Sequence, residues 1–256
     1  MQPSNYREWY DATPADFVFA LKGGRFITHT KRLRDVDVGL ANFFASGLLA
    51  LGEKLGPILW QLPPNFTFDA ERIRRFFELL PRSFSEMARL AGRHDQRLEG
   101  RSLVTSDLDL PLRHALEVRH PSFLDPRYQQ LLRDHGIAAC LADSAGLYPE
   151  IDVPADDFAY LRLHGAETLY ASGYSTQELS RWAARVESLH CKRDVFVYFD
   201  NDVKIRAPFD AQNLARIVNG APPLPLPDSL ASVDEEPRTS WAAWRGGPQR
   251  GSSERS

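Results

Sequence analysis

Two cysteines, Cys140 and Cys191, are all that the chain contains. Their scarcity excludes a disulfide framework and an all-cysteine zinc site. Cys140 lies inside an apolar stretch and reads as a small core residue; Cys191 precedes another such stretch. The pair fits a reduced, cytoplasmic protein. A basic start followed by an apolar run is also missing: residues 1–7 (MQPSNYR) carry no secretory signal. Long hydrophobic runs are absent too. The most apolar region, 38–51, includes Asn42 and Ser46 and is too short to cross a bilayer, so no membrane partner is expected. An excess of positive charge is lacking as well. The net charge is −3, so no global basic field argues for nucleic acid, although a local basic rim stays compatible with it.

What is present is a repeated pattern. Six short apolar runs each end in polar residues. Residues 17–21 run into Lys22, and 58–60 into Gln61. Residues 115–118 end in Arg119 and His120, and 137–142 in Asp143. Residues 158–163 carry Tyr160 and Arg162 and end in His164, and 195–199 end in Asp200 and Asn201. Helical stretches are expected between them, at 4–11, 37–51, 69–80, 83–94, 125–132, 177–189 and 210–218. Strands alternating with helices predict parallel βα units. In a (β/α)8 barrel the carboxyl ends of the strands converge on one rim, where active sites sit. The fold class expected is therefore α/β, a TIM-barrel-like (β/α) barrel with about six strands, over residues 1–219. Residues 220–256, rich in Pro and Ser, read as a disordered tail in which Trp241 and Trp244 are the unusual members.

The period of two along a strand places Ala20 and Lys22 on one face, and Ala115, Glu117 and Arg119 on another. Phe158, Tyr160, Arg162 and His164 likewise share a face. A charge inside an apolar strand must be paired or face a wet cavity; a mutual Glu117–Arg119 ion pair is the structural alternative to a site. Gly23 and Gly24, beside Lys22, Arg25 and His29, permit close approach of a ligand. Asp143 serves either the rim or the cap of the next turn. The Arg-rich segment 81–112 reads as a solvated face, with a lid over the rim as the alternative.

Seven stretches together carry a family resemblance: 17–22 (FVFALK), 25–29 (RFITH), 54–64 (KLGPILWQLPP), 117–123 (EVRHPSF), 141–144 (LADS), 160–165 (YLRLHG) and 198–201 (YFDN). In these the chain resembles the YecE-like family, uncharacterised proteins with a TIM-barrel-like fold, over residues 1–218. Members usually begin with a strand of Gly-Thr-Ser-Gly-Trp type and a second of Val-Glu-Ile-Asn type. Neither is found here, so the resemblance implies an incomplete, N-terminally truncated barrel lacking its first two βα units. Asp200 stands where the family more often has Asn; it is expected to face away from Asn201.

The rim residues suggest a hydrolase or lyase acting on a phosphorylated or otherwise anionic substrate. Lys22, Arg25, His29, Gln61, Arg119, Tyr160, Arg162 and Asn201 would hold the substrate, since guanidinium forks suit phosphate. Glu117 or Asp143 would act as base, and His120 or His164 as acid. A second reading is metal-assisted phosphodiester hydrolysis through Glu117, His120, Asp143 and His164, whose donor types suit a divalent cation. No compact ligand spacing supports it and the neighbouring arginines oppose it, so no cofactor is assigned. A third is a noncatalytic module for an anionic metabolite or a nucleic-acid end, and a fourth is an inactive fragment. Exposed sheet edges would favour self-association.

Overall fold

A computed structural model describes residues 1–165, 172–202 and 205–227. The first helix, Pro3–Asp11 (α1), has proline at its first turn, where the missing N–H costs nothing. Phe19–Lys22 (β1) then pairs in parallel with Leu55–Gln61 (β2), Lys22 opposite Leu59. His114–Glu117 (β3) adds to β2, with Gln61 opposite Glu117. Ala138–Asp143 (β4), Phe158–Leu163 (β5) and Asp194–Phe199 (β6) follow, each parallel to the one before. The strand order is therefore the sequence order, and the six strands form one curled half-barrel sheet. The six expected strands are all present; β5 has the expected bounds, and the ends of the others differ by up to three residues.

Parallel neighbours require crossovers, and helices supply all but one of them: residues 144–157, between β4 and β5, contain no helix. Asp37–Ala45 (α2) lies between β1 and β2; Ala70–Leu79 (α3) and Phe84–Ala91 (α4) lie between β2 and β3. Pro126–Asp134 (α5) precedes β4, Thr176–His190 (α6) precedes β6, and Ala207–Val218 (α7) follows it. Asp69, Ser83, Asp125 and Ser175 cap α3, α4, α5 and α6 by accepting from backbone N–H groups. The buried stripe of α3, Ile73, Phe76 and Phe77, falls at the expected helical spacing.

One expectation needs correction, and one alternative is excluded. The helix expected over 37–51 is two pieces, α2 and a 3-10 stretch Leu48–Lys54. Gly47, at φ 127°, breaks it, and a Cβ there would stand 2.6 Å from the Pro3 backbone. The chain turns there because α1 packs against that bare backbone. Segment 81–112 is not a lid over the strand ends. Its α4 packs on α2, Leu103 N–H donates to the Ala45 carbonyl at 2.9 Å, and it returns to β3 through Leu112.

The main core lies between the outer face of the sheet and α2 to α5, around Phe44, Trp60, Phe76 and Phe123. The inner face is lined by small and aromatic residues, among them Ala115, Ala138, Cys140, Phe158 and Tyr160. Of the expected tail, Leu224 is held by both amide atoms of Asn213 on α7; residues 228–256, with Trp241 and Trp244, lie outside the described residues.

Candidate functional site

Strand register determines which polar ends meet. Gln61 stands opposite Glu117, and Ala142 opposite Arg162, which stands opposite Tyr198. The inner face therefore ends in one row across the carboxyl ends of the strands: Lys22, Gln61, Glu117, Arg119, Arg162, His164 and Asp200. Lys22 Nζ donates to Gln61 Oε1 at 2.5 Å, and Arg162 Nη1 approaches the same oxygen at 3.5 Å. Arg162 Nη1 donates to Glu117 Oε2 at 2.5 Å, and Arg119 Nε to Glu117 Oε1 at 2.7 Å. The other arm of Arg162 reaches Asp200 Oδ2 at 2.6 Å, where His164 Nδ1 lies at 3.0 Å. The Arg119 guanidinium stacks over Tyr148, 4.7 Å from the ring centre. One layer below the row, Tyr160 and Tyr198 stack at 5.1 Å.

Glu117 is fully buried. Burial alone would raise its pKa, but Arg162 and Arg119 outweigh it and hold the carboxyl below the usual range. Burial likewise acts to raise Asp200, and His164 and Arg162 reverse it. The Asp200 side chain keeps 32% exposure where Glu117 keeps none, so Asp200 is the carboxylate that reaches the mouth. Lys22 is exposed; partial burial and then the Arg162 charge lower its pKa. The half-buried His29, hydrogen-bonded to Thr28 Oγ1 at 2.9 Å, is lowered by burial and by Arg25, Lys22, Arg119 and Arg32.

Of the residues singled out in the sequence, Lys22, Gln61, Glu117, Arg119, Arg162 and His164 meet in the row. Tyr160 forms its floor. Arg25 and His29 stand at its lip, on the loop after β1. His120 lies apart, its Nδ1 2.8 Å from Ser122 Oγ. Asp143 points to the other side of the sheet, where Tyr174 Oη donates to it at 2.9 Å. Asn201 is buried there too, donating to Asp210 Oδ2 at 2.8 Å and to the Ser172 carbonyl at 3.1 Å. Asp200 is the participant that sequence reasoning set aside. Alternation along β6 groups it with Tyr198 and Phe196, but only their pairing with Arg162 and Tyr160 turns that face inward. Among the described residues, no group of three or more His, Cys, Asp or Glu side chains could hold a metal ion. No described helix is long and apolar enough to cross a membrane.

Comparisons with known proteins bear on the fold. A family model described as protein of unknown function DUF72 matches residues 1–231. A DUF72 family protein of Thermotoga maritima superimposes with a TM-score of 0.62 at 24% identity, over 84% of this chain and 79% of that one. One of Enterococcus faecalis gives 0.63 at 17% identity, over 94% and 84%. Identities this low show a shared fold. No curated protein matches the chain.

Proposed function

The chain belongs to the DUF72 family of proteins of unknown function, and from that premise we propose that its strand-end row binds a phosphorylated or otherwise anionic small molecule as a hydrolase or lyase. The half-barrel is read as TIM-barrel-like, which makes the carboxyl strand ends the natural place for chemistry. One observation carries the reading. The row and its lip bring together four cations, Lys22, Arg25, Arg119 and Arg162, against two carboxylates, Glu117 and Asp200. An ion-pair network serving only itself would balance. The guanidiniums of Arg119 and Arg162 are largely desolvated, and there a surplus attracts an anion more strongly than it would in water.

The two carboxylates divide the work. Glu117, gripped by two guanidiniums, fixes their forks for an incoming phosphate or carboxylate. Asp200 is the general base, positioned by Arg162 and by His164. Arg119 and Arg25 hold the anion, and Tyr160 and Tyr198 form the floor beneath it. This assigns the base role to a residue outside the Glu117 and Asp143 pair expected from sequence.

Thermal shift with inorganic phosphate and sugar phosphates tests the reading. The parent is expected to gain stability with ligand, and R162A to gain little. R25A alters an exposed side chain on the lip, so it keeps its fold and should bind more weakly. A parent whose Tm ignores every anion would overturn the proposal.

A further inference from the structure

Arginine supplies most of the positive charge of this chain. Of 31 Lys and Arg residues only five are lysines: Lys22, Lys31, Lys54, Lys192 and Lys204. The distinction matters chemically. Arginine stays protonated in proteins and can hold an anion but cannot attack a carbon; a lysine that sheds its proton can. In the strand-end row the arginines do the holding, and one position, Lys22, is lysine.

The surroundings of Lys22 do not secure its proton. Among the described residues its amine makes one hydrogen bond, to the neutral amide oxygen of Gln61 at 2.5 Å. That oxygen also faces the Arg162 guanidinium. Both carboxylates of the row are engaged elsewhere: Glu117 by Arg119 and Arg162, Asp200 by Arg162 and His164. Burial first, then the Arg162 charge, lowers the Lys22 pKa; Glu117 and Asp200 act to raise it and Arg119 to lower it, and the net shift is downward. The side chain is exposed at the end of β1, so a substrate can reach it. Lys54 is the contrast: buried, it donates to the carbonyls of Tyr10 and Thr13 at 2.6 and 2.9 Å and lies over the Tyr10 ring.

We propose that Lys22 is a nucleophile that forms an imine with the carbonyl carbon of a phosphorylated aldehyde or ketone. The inference rests on the anion-binding reading, because Arg25 and Arg119 would hold the phosphate while the carbonyl meets Nζ. The neutral amine's lone pair forms the C–N bond as the carbonyl π electrons move to oxygen, which takes up a proton. Loss of that hydroxyl with the second amine hydrogen completes the C=N bond. The carbonyl oxygen and two amine hydrogens thus leave as one water, with no change of oxidation state. A protonated imine is an electron sink: the bond between the carbons α and β to the imine carbon breaks, its electron pair forms the enamine C=C as the C=N electrons move to nitrogen, and the β-hydroxyl gives its proton to Asp200 and becomes the carbonyl of the leaving fragment. The chemistry therefore favours a lyase over a hydrolase.

Borohydride trapping tests it. The full chain is incubated with glyceraldehyde 3-phosphate or with unphosphorylated glyceraldehyde, reduced, and mapped by peptide mass spectrometry. The phosphorylated aldehyde should label Lys22 faster than the exposed Lys31, and inorganic phosphate should compete. K22R, which keeps the charge but not the nucleophilic amine, should lose the adduct. Q61E, which gives the ammonium a carboxylate to hold its proton, should slow labelling. Labelling spread evenly over Lys22, Lys31 and Lys192, or unchanged in Q61E, overturns the proposal. An absent adduct with a retained phosphate shift overturns the imine alone; loss of the phosphate shift as well overturns the binding reading beneath it.

Discussion

At the scale of single residues, Glu117 shows how a fully buried carboxylate stays ionised. Two guanidiniums, at 2.5 and 2.7 Å, outweigh the desolvation that burial imposes. Removing one member of such a cluster strands the others, which costs about 3–5 kcal/mol. Urea unfolding of E117Q should show a loss of that order; a variant as stable as the parent would mean that Asp200 alone suffices for Arg162. Because the folded carboxyl lies below its ordinary 4.5, its stabilisation is complete above that pH and fades as the pH drops through the folded value. His114 adds acid sensitivity from the opposite chemistry. It is buried and neutral, accepting from Trp60 Nε1 at 3.2 Å, with its Nε2 2.8 Å from the Pro81 carbonyl. Burial first, then Arg82, lowers its pKa from 6.5 to about 3. Below pH 6.5 the unfolded chain takes up a proton that the folded one refuses, so stability should fall by about 1.4 kcal/mol per pH unit. His29, also lowered, acts in the same direction. The difference in slope between the parent and H114Q, measured from pH 6 to 4.5, isolates His114.

At the scale of elements, the end of β1 is set by one close contact. Gly23 N–H extends the ladder to the Leu59 carbonyl at 2.8 Å, and a Cβ on Gly23 would stand 2.2 Å from the Trp60 ring. The absent side chain lets the strand end lie flat against Trp60 and delivers Lys22 to Gln61. G23A should cost about 1–3 kcal/mol through overpacking, read by a thermal melt, and by moving Lys22 it should slow the borohydride labelling of that residue. In α3, F76A removes a fully buried ring packed edge-on against Trp60 at 5.2 Å. A loss of about 3–5 kcal/mol is expected in denaturant unfolding, with the strand-end chemistry left intact because Phe76 lies on the far side of the sheet.

At the scale of the whole molecule, β1 and β6 are the two outer strands, and among the described residues neither pairs on its free side. Phe17 and Val18, just before β1, are 44% and 43% exposed. Unpaired edges with apolar neighbours recruit other surfaces. The purified protein should therefore bind a hydrophobic dye or gain mass with concentration in sedimentation, and F17K/V18K should reduce either effect. A monodisperse parent that binds no dye would count against exposed edges.

The sequence by itself determined the six strands, the helices between them and the polar character of the strand ends. Those are local matters of period, capping and turn chemistry. It also placed Glu117 with Arg119, and Arg162 with His164, because alternation along one strand is enough for that. Which face of β4 and β6 turns inward was left open. Residues 138–142 are apolar on both faces, as are 195–199, so alternation carries no sign there. Only the pairing of β4 on β5 and of β6 on β5 decided it. That choice sent Asp143 and Asn201 to the helix side and brought Asp200 to Arg162, because a shift of one residue in a strand exchanges its two faces.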